Sequence, residues 1–198
     1  DRRYPTVNAY GPLYGSTEHS TDMIPVLDPK KNVASHFTAP VRPNIAEALG
    51  PGFPASDRLM QPSPYWGDEK IWDSKANNHN GMFDKSGRVW FAARFRDAAN
   101  PDFCKKGSDH PSAKLFPIER TNRQLTMLDP KTQQYTFVDT CFQTHDLHFG
   151  YDANDTLWTS GGGPVVGWIN TKMFDETGDV PKSQGWTALI LDTNGNGK

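Results

Sequence analysis

The stretch MFDKSGRVWFAAR, residues 82–94, decides how this chain is read. It opens on an aromatic residue and an Asp, reverses through Lys-Ser-Gly, and runs into Val89, Trp90 and Phe91. Asp and Gly are turn residues. The short carboxylate bonds the backbone just ahead of it, and Gly accepts the positive φ of a tight reversal. The β-branched and aromatic residues that follow suit a pleated, half-buried surface. The unit therefore predicts strand, tight turn, strand. It recurs in GYDANDTLWTSGG, residues 150–162, where Trp158 stands in the place of Trp90.

A second kind of repeat surrounds the first. MIPVLDPKKNVASHF (23–37) and QLTMLDPKTQQYTF (124–137) each set Leu-Asp-Pro-Lys between two strand-like runs. Asp-Pro opens a turn, because the Asp side chain caps its own backbone and Pro presets φ. Each copy predicts a β-hairpin, and a weaker third hairpin is expected over VVGWINTKMFDETGD (165–179). Residues 96–120 look like an inserted loop. Alternation of the two kinds gives about four strands per unit, the pattern of a propeller blade. The expected fold class is all-β: a partial β-propeller of two to three blades of four-stranded antiparallel sheet with long loops. A β-sandwich with similar hairpins is the alternative. Residues 1–60 are expected to hold one hairpin of an incomplete blade, and residues 61–198 the remaining blades.

Composition agrees with short strands. Among 198 residues, 17 Gly and 16 Pro punctuate the chain throughout, which disfavours long helices. Net charge is −2, with 21 basic and 23 acidic residues intermixed. No basic stripe points to nucleic acid, and no apolar run is long enough to span a membrane. Cys104 and Cys141 lack metal-ligand spacing, so a disulfide between them is expected, with two buried thiols as the alternative.

The phrases NHNGMFDKSGRVWF, QLTMLDPKTQQYTF and DANDTLWTSGGGPVVGWINTKMFDETGD resemble the repeats of the streptogramin (virginiamycin B) lyase-like propeller family. More narrowly, residues 60–198 are similar to bacterial secreted proteins of the carboxypeptidase-regulatory-like kind, several hundred residues long. The resemblance implies a propeller fold and a secreted or periplasmic location. It also implies that this sequence is part of a longer chain, or one of several subunits that complete the propeller. In lyases of that family, histidines and acidic residues around a divalent metal serve elimination chemistry. His79 stands where the family's blade-start His precedes its Trp. In the second unit Leu147 holds that place, between His145 and His148.

Candidate chemistry follows from these stretches. ANNHN (76–80) and THDLH (144–148) are the densest polar clusters and occupy like places in the two units. Strand alternation predicts His79 and Asn77 on one face, with Asn78 and Asn80 on the other. His79, His145, Asp146 and His148 are the candidate catalytic residues, as metal ligands or an acid–base set. The alternative is hydrogen-bonded histidines that pin neighbouring blades. Tyr65 and Trp66 offer a stacking surface for a ligand, and Arg94 and Arg96 a clamp for a carboxylate or phosphate. Asp192, Asn194 and Asn196 match the opening positions of a calcium loop, so calcium or another divalent metal is the expected cofactor. The glycine-rich SGGGPVVGW (160–168) lacks the rest of a phosphate loop and predicts a bend at a crowded place. The function expected is a ligand-binding or interaction module. A metal-assisted lyase or hydrolase is the alternative, and a subunit docking through exposed sheet edges the second alternative.

Overall fold

A computed structural model describes residues 9–43, 45, 74–150, 152–161, 163–189 and 194–196. Among these residues eleven strands form three antiparallel sheets, each a meander of consecutive strands. The first sheet holds β1 (Leu13–Tyr14), β2 (Met23–Asp28) and β3 (Val33–Thr38). The middle sheet holds β4 (His79–Phe83), β5 (Val89–Ala93), β6 (Gln124–Asp129) and β7 (Gln134–Val138). The last sheet holds β8 (Asp146–Phe149), β9 (Thr156–Ser160), β10 (Val165–Asn170) and β11 (Gln184–Ala188). The chain is all-β in outline, and its sheets do not close into a ring among the described residues.

The sequence repeats fall on like positions of these sheets. The two Asp-x-x-Gly/Asp turns join β4 to β5 and β8 to β9, so Trp90 and Trp158 both lie on the second strand of their sheets. The two Leu-Asp-Pro-Lys turns join the final pair of strands, β2 to β3 and β6 to β7. Asp28 Oδ1 accepts from the Lys30 and Lys31 N–H groups at 3.0 and 3.1 Å, and Asp129 Oδ1 from Lys131 N–H at 2.8 Å. The expected hairpin over 165–179 is not one. After β10 the chain enters a helix, Thr171–Thr177, and then a short one, Val180–Ser183, before β11. Local caps explain the difference. The Asn170 side chain accepts from Met173 N–H, Gly178 closes the helix at φ 65°, and the Asp179 side chain accepts from Lys182 N–H.

The sheets are stacked, and the middle one is covered on both faces. Every residue of β5 is buried. Val89, Phe91 and Ala93 join Leu128, Ile24 and Ala39 in a core against the first sheet. Trp90 and Ala92 join Leu125, Met127, Leu147, Leu157 and Ile169 in a larger core against the last sheet. Period-two alternation thus feeds two cores at once. The outer sheets bury one face only, and β2 alternates exposed and buried along its length.

The expected inserted loop connects β5 to β6. It carries a 3-10 turn at Asp102–Cys104 and a helix at Pro111–Leu115. Cys104 and Cys141 form the expected disulfide, with Cα atoms 5.2 Å apart, and tie the insertion to the segment that leads into β8. Crowding in the glycine-rich stretch is real. A Cβ on Gly161 would lie 2.1 Å from the Gln143 carbonyl oxygen, and one on Gly167 2.2 Å from the Phe142 ring.

Candidate functional site

The seam where β4 meets β8 gathers the polar residues. Entry to β4 is held by Asp22, whose Oδ1 accepts at 2.8 Å from Ser74 Oγ and from the N–H groups of Lys75 and Ala76. Asn77 and Asn80 then adopt positive φ, 43° and 50°, and the β4–β5 pairing shifts register between His79 and Met82. Asn tolerates this left-handed backbone better than most residues. The irregularity overturns the simple alternation expected for ANNHN: both His79 and Asn80 face the start of β8.

Three of the four expected catalytic residues converge there. One ligand atom each from His79, His145 and Asp146 lies within 4.8 Å of the others. The His79 and His145 rings stand 4.1 Å apart between centroids. Asn80 Nδ2 donates to Asp146 Oδ1 at 2.9 Å, and His145 Nδ1 lies 3.4 Å from Asp146 Oδ2. His148 is not part of this group. It lies one pleat further along β8, opposite Trp158 on the exposed face of the last sheet.

A surrounding shell comes from residues that sequence reasoning passed over. Glu18 Oε1 contacts His79 Nδ1, and the Glu18 backbone bridges to Asn78. Arg123 is buried, and its Nη2 donates to Asn77 Oδ1 at 2.7 Å and lies 3.5 Å from Glu18 Oε1. Burial pushes the His79 imidazole below the usual histidine value. Arg123 and His145 act in the same direction, while Glu18 and Asp146 oppose it. The ring is therefore neutral near pH 7, the form that ligates metals. The only sequence signal for Glu18 was the Glu-His pair in STEHSTD (16–22), far from ANNHN along the chain.

The other candidates sit elsewhere. Arg96 is buried, and its guanidinium is engaged by Asp139 Oδ1 at 2.5 Å, by Asn100 Oδ1 at 2.8 Å and by the Asp97, Ala99 and Thr140 carbonyls. These partners tie the insertion to the end of β7. Arg94 Nη2 lies 3.8 Å from Asp97 Oδ1. Tyr65, Trp66 and Asp192 lie outside the described residues. Asn196 N–H donates to Asn194 Oδ1 at 3.2 Å in the terminal turn. A separate cavity of about 790 Å³ opens beside the insertion, lined by Phe103, His110, Pro111, Trp168, Met173 and Pro181 among others. No helix of the described residues is long and apolar enough to cross a membrane.

Compared with known proteins, the chain matches no family model, no curated protein and no solved structure.

Proposed function

We propose that these sheets are blades of a propeller-type repeat protein, and that the β4–β8 seam binds a divalent metal used to capture a ligand. The observation that carries this reading is the convergence of His79, His145 and Asp146 from two successive sheets. Two imidazoles and a carboxylate suit zinc-like ions better than calcium, which prefers oxygen ligands. Three protein ligands leave a coordination position open for a ligand oxygen or water. Glu18 lies against His79 Nδ1; a carboxylate in that place would favour the tautomer that presents Nε2 to a metal, the carboxylate–histidine arrangement common around metal sites.

The same geometry supports the second reading, a metal-assisted lyase or hydrolase. A metal in the seam would polarise a carbonyl of the bound ligand, and the Glu18 carboxylate lies beside one of the proposed ligands. The Cys104–Cys141 disulfide fits an oxidising compartment, which favours a secreted or periplasmic setting.

Titration of the chain with Zn²⁺ or Co²⁺, followed by calorimetry and by the visible absorption of bound cobalt, tests the site. One equivalent should bind, and His79→Ala or His145→Ala should weaken it by at least about tenfold, the usual scale of ligand or outer-ligand loss. His148→Ala should leave it unchanged. Absence of stoichiometric binding in the parent chain would remove the proposal.

A further inference from the structure

Among the described residues the stack of sheets has two exposed apolar faces, and they match the two sides of its own internal contacts. In the middle sheet the row Met82, Trp90, Met127 and Thr136 crosses all four strands. The last sheet covers that row, with Phe149 and Phe174 edge-on to Trp90 at 6.3 and 6.2 Å. The equivalent row of the last sheet is His148, Trp158, Trp168 and Gly185. There Trp158 is 41% exposed and leans on Trp168, with ring centroids 5.7 Å apart. Gly185 makes the platform flat, since a Cβ there would lie 2.4 Å from the Trp168 ring.

The opposite end is apolar too. On β2, Ile24 and Val26 face the middle sheet, and Met23 and Leu27 face outward, 47% and 43% exposed. Leu13 pairs with Leu27 and is 57% exposed. The middle sheet already shows how such faces are used: each of its two sides lies against the next sheet in the series. Exposed apolar rows of this kind mark interaction surfaces.

We infer that a second copy of this chain seats its β1–β3 face on the β8–β11 face, continuing the stack from one chain into the next. The contact is head to tail, so each copy has one surface of each kind. Resting on the blade reading proposed above, two copies use both pairs of surfaces and close the six described sheets into a ring, within the range of about four to eight blades that closed propellers show. The contact does not depend on metal in the seam.

Light scattering on the eluting 198-residue chain tests it. At about 50 μM the mass should be twice the 22.1 kDa of one chain, and it should fall toward 22.1 kDa on dilution. Trp158→Lys and Leu27→Lys each place a charge in one of the two surfaces, and each variant alone should be monomeric. Mixed together, the two variants keep one intact contact and should recover a dimer, which variants that merely misfold would not do. A parent chain that stays monomeric overturns the inference. So does a mixture that stays monomeric, or an open series of larger masses.

Discussion

The turn Asp84–Arg88 and the turn Asp152–Thr156 carry the same motif to different ends. Asp84 is fully buried. Its Oδ1 accepts from Ser86 and Arg88 N–H at 2.9 and 3.0 Å, and its Oδ2 from Arg88 Nε at 2.6 Å and Trp90 Nε1 at 3.0 Å. Arg88 then reaches Asp175 of the last sheet's helix through two bonds, at 2.8 and 2.7 Å. Asp152 accepts from Asn154 and Thr156 N–H and from Thr156 Oγ1, the last at 2.6 Å, but it is exposed and meets no guanidinium among the described residues. Trp90 is wholly buried and Trp158 is 41% exposed. The motif sets the turn locally. What lies on the far side of the strand sets what the Trp and Asp are worth.

That difference can be broken most forcefully at the tryptophans. Trp90→Ala removes a fully buried ring between two sheets and leaves the Asp84 carboxylate short of a donor, so it should cost about 3–5 kcal/mol. Trp158→Ala, measured on dilute monomer, should cost under about 1 kcal/mol. Urea unfolding of both variants checks the pair, and equal losses would mean that the two faces are equally covered. The turns give the next contrast. Asp84→Asn weakens a buried ion pair and should cost about 3 kcal/mol, whereas Asp152→Asn should stay under about 1 kcal/mol.

Much of this organisation was legible in the sequence, for identifiable reasons. The Asp-Gly and Asp-Pro turns declared themselves because turn chemistry is local: the carboxylate and the backbone it caps are a few residues apart. The register of Trp90 with Trp158 followed from it. The helix at Thr171–Thr177 was missed because its caps, Asn170 and Gly178, also suit a hairpin turn. At the seam, His79, His145 and Asp146 were named; His148 was grouped with them although it lies one pleat further along β8, and alternation misplaced Asn80. Two Asn residues at positive φ bend β4 there, and a period-two argument has no term for a bulge. Glu18 was out of reach altogether, because only the tertiary pairing with Asn78 brings it to His79.

The disulfide sharpens the comparison between regions. Cys104 belongs to the middle sheet's insertion and Cys141 to the approach to the last sheet, with a sequence separation of 37. The double variant Cys104→Ser/Cys141→Ser should cost about 2–3 kcal/mol by freeing the unfolded chain. Its native-state hydrogen exchange should rise more in β8–β11 than in β2–β3, since only the former lie directly beyond the crosslink. Uniform loss of protection would instead mean that the three sheets open as one unit.

The smallest effect concerns acid, and it separates the seam from the rest of the molecule. His19 and His79 both flank Glu18, and burial is the largest influence on each, lowering both below the ordinary histidine value. The folded chain therefore holds fewer protons on these rings than the unfolded chain does. By linkage, stability is fully present above the unfolded value, near about 6.5, and falls as pH drops through it toward the lowered folded value. Urea midpoints at pH 7.5 and 5.5, in the absence of added metal, should differ in that sense for the parent chain. The difference should shrink in a His19→Gln/His79→Gln double variant. A double variant with the parent's full pH dependence would place the acid-sensitive groups outside the seam.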